Sequence, residues 1–428
     1  MFSRVRWMII WLLFLAGLIN YMDRAALSVA APLVAKDLRL DPAQLGLVFS
    51  VFFFGYALFC FVGGYFSDRV GPKRVFTVSM VAWSVFCGLT GAVFSFASLL
   101  VVRVLFGMGE GPLSSTMNKT VSQWFPRREQ ASAVGMTNAG TPLGGALAGP
   151  VVGLIAIGFG WRISFVIIAI IGLAWTLAWA LLATDRPAQH PWMRASELAE
   201  IEADRGAPET AGQALPLRDY LRRPAVLATA FAFFGYAYLL YFFLAWFPSY
   251  LTMARHLSVK SMSLVTVIPW LLGFLGLALG GFLTDAVFRR TGRAVFARKL
   301  VLVGCLLLAA VCVALAGLAT SVGSAVALMA ASVFFLYLTG NTYWAIILDT
   351  VEGGKVGGVS GFVHLIANLA GIVSPAVTGL LVQWTGAFTS AFVLAGAMAV
   401  IGALAVAIWV RAPGQAAVIA QRPARALP

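Results

Sequence analysis

Long apolar stretches alternate with short polar ones along the whole chain. Runs poor in charge lie at about 7–31, 43–67, 75–95, 97–118, 131–157, 161–183, 224–250, 260–284, 298–319, 322–347, 357–383 and 387–410. Each is close to or above the ~20 residues that an α-helix needs to cross the hydrocarbon core of a bilayer. The pattern predicts twelve membrane-spanning helices in an all-α integral membrane protein. The first run follows Arg4 and Arg6 and continues past Asn20, Asp23 and Arg24. It is longer than the core of a signal peptide and has no small-residue cleavage pattern behind it, so it reads as a retained span. Isolated Gly and Pro inside the runs do not argue against helices in a membrane.

The one long polar stretch, 184–223, separates six spans from six. The expected organisation is a six-helix bundle over 1–183, a central loop over 184–223, a second six-helix bundle over 224–411 and a tail over 412–428. Within the loop, Ser196 to Arg205 reads either as a short amphipathic helix on the membrane surface or as a solvated linker. Composition fits this picture: 61% of residues are hydrophobic and 11% are charged, against roughly 25% charged in a soluble domain. An ordinary soluble enzyme, a disordered chain and a disulfide scaffold are thereby excluded.

The net charge of +14 would suggest nucleic acid in a soluble protein. Its distribution points elsewhere. The N-terminus, the even-numbered loops, the central segment and the tail hold most of the Lys and Arg, and only Lys36, Arg39, Arg162, Arg255 and Lys260 fall on the other side. Such asymmetry places the basic side in the cytoplasm, with both termini there and no nucleic-acid partner. Cys60, Cys87, Cys305 and Cys312 lie in apolar segments without a C-x-x-C pair, so neither a metal site nor a cofactor is expected.

The halves repeat. Gly63-Gly64-Tyr65-Phe66-Ser67-Asp68-Arg69-Val70-Gly71-Pro72-Lys73-Arg74 follows the second span, and Gly280-Gly281-Phe282-Leu283-Thr284-Asp285, with Arg289 and Arg290 behind it, follows the eighth. Repeats of six spans are a transporter architecture. The first copy resembles the loop signature of the major facilitator superfamily, and the resemblance covers essentially the whole chain. It implies the twelve-helix major facilitator fold and a gate on the basic side. There Asp68 would pair across to a neighbouring helix end, with Asp285 in the equivalent place, while Arg69 and Arg74 hold carboxylates or lipid phosphates. Asp349 and Glu352, after the tenth span, read as gate partners or plain loop residues.

Four ionised side chains fall well inside spans: Asp23 and Arg24 in the first, Arg103 and Glu110 in the fourth. A charge at mid-helix costs at least ~2.5–3.5 kcal/mol, so each needs a reason to be there. Arg103 and Glu110 are almost two turns apart and share a face, whereas Asp23 and Arg24 point about 100° apart. A midplane arginine without a permanent partner suits an incoming carboxylate, because its fork matches that group bidentately and it keeps its proton. A buried carboxylate beside it is pulled toward protonation by desolvation and toward ionisation by the arginine, a balance that suits proton exchange. The competing reading is a static salt bridge that locks the two helices.

These residues narrow the resemblance. Asn20-Tyr21-Met22-Asp23-Arg24, Arg103-Val104-Leu105-Phe106-Gly107-Met108-Gly109-Glu110-Gly111, Trp124-Phe125-Pro126-Arg127-Arg128-Glu129 and Gly160-Trp161-Arg162 resemble the anion:cation symporter branch, which includes bacterial galactonate, glucarate and hexuronate transporters. The resemblance implies proton-coupled uptake of a small organic anion by alternating access, in a monomer of the bacterial inner membrane. Arg24 would meet the carboxylate, Asp23 and Glu110 would carry protons, and Arg103 would tune or neutralise Glu110. Tyr21 and Tyr56 would line the cavity. In the second half, Tyr241, Asn341 and Trp344 match lining positions of the branch, as do His364 and Asn368 in the eleventh span. Sugar-acid members often carry Asn where this chain has His364, which points to altered substrate choice or to a simple buried histidine. Trp246 reads equally as an interfacial anchor. An aromatic or dicarboxylic acid is the alternative cargo. A proton-coupled drug exporter fits less well because of Arg24, and no enzyme motif is present.

Overall fold

In the computed structural model, residues 4–203, 217–351 and 356–410 are described; the tail expected over 412–428 lies outside them. Twelve helices are long and apolar enough to cross a membrane. In chain order they are α1 (Val5–Leu38), α2 (Pro42–Val70), α3 (Pro72–Ala92), α4 (Phe96–Trp124), α5 (Ser132–Phe159), α6 (Trp161–Leu182), α7 (Pro224–Met253), α8 (Val259–Thr291), α9 (Ala294–Leu318), α10 (Val322–Ile347), α11 (Gly358–Thr385) and α12 (Thr389–Trp409). The expected runs coincide with them, but several helices extend beyond the apolar stretch. α1 continues through Lys36 and Asp37 because a polar turn outside the hydrocarbon costs nothing there.

Local chemistry sets the ends. Proline occupies the first turn of α2, α3 and α7, where its missing N–H breaks no helical bond. Asp41 and Gln44 form a reciprocal cap at the start of α2. Between α2 and α3 the chain turns at Gly71, whose φ is +94°, a conformation that disfavours a side chain. The Asp185 carboxylate sits against it and accepts the Lys73 N–H at 2.8 Å. The central segment is thereby tied to the first half.

Helices pack in a bilayer without a hydrophobic drive between them, so small residues bring backbones together. A Cβ on Gly144 of α5 would stand 2.0 Å from the Leu18 carbonyl oxygen of α1, and one on Gly107 of α4 would stand 2.0 Å from that of Phe52 in α2. The Gly-rich stretch around Glu110 accordingly serves close packing.

Between the halves, α2 packs against α11 and α5 against α8. Gly46 lies against Pro375, Gly379 against Pro42, Gly149 against Ser263 and Gly145 against the Trp270 ring. These approaches all lie on the face away from the N-terminus, so the two halves are closed together on that face.

The loop helix is present over Ala195–Ala203, which decides against a solvated linker. It docks under α1. The Glu197 carboxylate accepts the N–H groups of Val5 and Arg6 at 3.0 and 3.1 Å, where the first turn of α1 has no internal partners. The Arg6 side chain is fully buried and reaches Glu129 and Glu200, each at 3.3 Å. Removing one member of such a buried charge cluster costs about 3 kcal/mol. Glu197→Ala should lower the thermal unfolding midpoint of the purified protein by several degrees, and Glu197→Gln, which keeps an acceptor, by less.

Candidate functional site

The two charges of α1 occur on successive residues and diverge. Asp23 turns toward α3, where Trp83 Nε1 donates to its Oδ2 at 3.0 Å, and its Oδ1 has no hydrogen-bond partner among the described residues. Arg24 turns toward α4 and α2. Its Nε donates to Glu110 Oε2 at 2.6 Å, with the arginine 6% exposed and the glutamate 0%. The guanidinium also lies over three rings, 4.4 Å from the centre of Tyr56, 5.2 Å from Phe52 and 5.5 Å from Tyr21. Aromatic faces stabilise a buried cation without taking its N–H groups.

A narrow cavity opens at this point between the halves. Arg24, Ser28, Phe49, Phe52, Phe53 and Arg103 line it from the first half, and Tyr241, Leu244, Ala245 and Pro375 from the second. The Tyr241 ring packs on Phe53 at 4.4 Å, and its hydroxyl donates to Asn368 Oδ1 at 3.3 Å. Asn368 in turn donates to the His364 carbonyl. The His364 imidazole stacks on Phe233 and meets Trp344 edge-on at 5.8 Å. Asn341 is exposed at the break in α10 between Leu338 and Thr342; like Tyr21, Tyr56, Trp344, His364 and Asn368, it is not among the side chains that line this cavity. Trp246 is fully buried and donates to the Pro375 carbonyl, so it is not an interfacial anchor.

One expectation needs correction: Arg24 is not left without a partner, because Glu110 pairs with it, and it nevertheless faces the cavity. Arg103 makes no ion pair with Glu110 among the described residues. Arg103 instead lies over the rings of Phe52 and Phe106 at 5.0 and 5.2 Å. Trp83 and Phe52 were not legible as site residues. A tryptophan or phenylalanine in an apolar run carries no sign of which neighbour it will meet.

At the basic face, Asp68 pairs with Lys119 of α4 at 2.6 Å, inside its own half. Arg69 lies over the Tyr65 ring at 4.4 Å. Arg74 and Asp285 are exposed, and neither forms an ion pair among the described residues. The Asp349 side chain and Glu352 lie outside the described residues.

The family model described as Major Facilitator Superfamily matches residues 13–352. The chain belongs to the major facilitator superfamily. Among its relatives, the hexuronate transporter of Bacillus subtilis (strain 168) is 53% identical over 413 residues, 96% of each chain. The probable sulfoacetate transporter SauU of Cupriavidus necator is 37% identical, over 94% of this chain and 93% of that one. The probable galactarate/D-glucarate transporter GudP of Bacillus subtilis (strain 168) is 32% identical, over 93% and 90%. Among solved structures, an inward-facing, occupied bacterial homologue of the human lysosomal transporter Spinster superposes with a TM-score of 0.74 at 19% identity, covering 96% of this chain and 97% of that one. The D-xylose-proton symporter gives 0.75 at 17%, covering 94% and 97%. These two carry the fold alone.

This major facilitator superfamily protein is therefore a multi-pass membrane transporter of small organic substrates, not an enzyme, and its relatives agree with the sugar-acid branch that its motifs resemble. Within that frame His364 becomes testable. A neutral imidazole offers one donor and one acceptor, whereas an asparagine amide offers either polarity to a hydroxyl. His364→Asn should change relative uptake across a panel of hexuronates, aldonates and aldarates about fivefold, a difference of one hydrogen bond, and leave the pH dependence alone. Unchanged relative rates would assign the imidazole to packing.

Proposed function

We propose that the protein takes up a hexuronate or a closely related sugar acid together with protons. It would act as a monomer in the bacterial inner membrane, with its basic face and both termini in the cytoplasm. The observation that carries this reading is the buried Arg24–Glu110 pair, whose Arg24 lines a cavity between the halves. Ionised Glu110 holds the guanidinium that a carboxylate would need. Protonated Glu110 releases it, since a neutral acid competes poorly with a carboxylate for the fork. The exchange makes proton binding and substrate binding mutually dependent. Asp23, buried and bonded to the protein through Trp83 alone among the described residues, is the second proton carrier.

The nature of the acid is supported by the 53% identity to a protein named a hexuronate transporter. The chemistry of the cavity lining suits such a cargo: the basic and aromatic wall comes from the first half, and the second half adds Tyr241 and, behind it, Asn368 for hydroxyl groups. Alternating access follows from rocking of the halves. The close approach of the halves on the face away from the N-terminus, and the pairing of Asp68 within its own half, support reading this conformation as inward-facing. In the outward-open state Asp68, Arg69, Arg74 and Asp285 would close the cytoplasmic end. Purified protein in liposomes tests the whole reading. Labelled glucuronate or galacturonate should accumulate inside when the exterior is made acidic, and failure to accumulate either acid would refute it.

A further inference from the structure

Arg103 is left over by this mechanism. It is 4% exposed, lines the same cavity as Arg24, and makes no hydrogen bond or ion pair among the described residues. Its Nε–H is buried without an acceptor. Phe52 and Phe106 stack against the guanidinium, but stacking satisfies the cation and not its donors. Glu110, the nearest candidate on its own helix, is committed to Arg24. A permanently charged fork deep in a membrane, on a cavity wall and with its Nε–H unused among the described residues, is a costly arrangement. An incoming anion would relieve that cost.

We propose that Arg103 is a second substrate-binding guanidinium, which holds the far polar end of the acid while Arg24 holds the first carboxylate, and that this gives the site capacity for dianionic acids. The proposal rests on the sugar-acid reading above and deepens it. Both guanidiniums lie against the Phe52 ring, at 5.2 and 5.0 Å from its centre, and both residues line the same cavity. A six-carbon acid laid along that ring presents one end to each. A hexuronate offers Arg103 oxygens that are neutral acceptors. An aldarate offers a second carboxylate, and the charged, bidentate bond is the stronger of the two. Tuning of Glu110 by the bare charge of Arg103 is the rival role, and it needs no contact with the cargo.

Equilibrium binding of glucuronate, with one carboxylate, and glucarate, with two, separates these roles in the intact purified protein. Arg103→Gln should weaken glucarate about thirtyfold and glucuronate about threefold, the span between a charged and a neutral hydrogen bond. Arg103→Lys should recover part of the glucarate loss, because it keeps the charge and loses the fork. Arg24→Gln, run in parallel, should abolish both. Equal losses for the two acids, full recovery by lysine, or a shifted pH midpoint with glucarate affinity intact would each overturn the second subsite while leaving the functional reading standing. Wild-type protein that binds neither acid would overturn the functional reading and the subsite with it. An Arg103→Gln preparation that does not fold leaves the lysine variant to decide: glucarate affinity equal to wild type contradicts the proposal.

Discussion

Arg24→Ala is expected to abolish sugar-acid uptake, with affinity reduced at least about a hundredfold. The substrate carboxylate loses both charged hydrogen bonds of the fork, each worth roughly 1.5–3 kcal/mol. Each 1.4 kcal/mol is about tenfold in binding. Arg24→Lys keeps the charge and should remain far below wild type, because one ammonium cannot replace a planar fork that lies over Tyr21, Phe52 and Tyr56. Direct binding to purified protein checks both variants. Retained affinity in Arg24→Ala would remove Arg24 from the site.

Glu110→Gln carries the second large effect, and it is qualitative. Glutamine has nearly the shape of glutamate and no titratable proton. Arg24 is then free at every pH. Binding should persist and lose its pH dependence, and exchange of internal for external acid should continue. Accumulation driven by a pH gradient should fall by at least about tenfold, since the acid–base group that links the two fluxes is gone. Asp23→Asn should reduce accumulation in the same direction. Normal gradient-driven accumulation in both variants would contradict the assignment of proton carriers.

Much of this architecture is legible in the sequence because the bilayer imposes a simple rule. Backbone groups must be satisfied within each span, so every long apolar run becomes a helix, and the twelve runs become α1 to α12. The charged residues inside α1 and α4 stand out for the same reason: a charge in hydrocarbon is rare enough to be noticed. Which charge meets which is another matter. Helical periodicity shows that Arg103 and Glu110 share a face, but pairing depends on how α1 packs on α4, and that is set by close approaches such as Gly107 on α2 and Gly144 on α1. The pairing of Glu110 with Arg24 rather than Arg103, and of Asp23 with Trp83, therefore emerges only in three dimensions. The gate residues show the same division. The repeat marks Asp68 and Asp285, but Lys119, which Asp68 meets, stands just past the fourth apolar run and reads as a loop lysine in the sequence until α2 and α4 lie side by side. Likewise the docking of Ala195–Ala203 beneath α1 depends on Glu197 finding the free N–H groups of Val5 and Arg6, a tertiary event with no local signature.

The central claim is that a carboxylate cargo and Glu110 compete for one guanidinium. Calorimetric titration of glucuronate into the purified protein, repeated in buffers of different ionisation enthalpy, counts the protons that move on binding. Wild type should take up protons as the acid binds, with affinity rising as the pH falls, and Glu110→Gln should take up fewer. Binding without proton uptake in wild type, or an uptake unchanged in Glu110→Gln, would contradict the account.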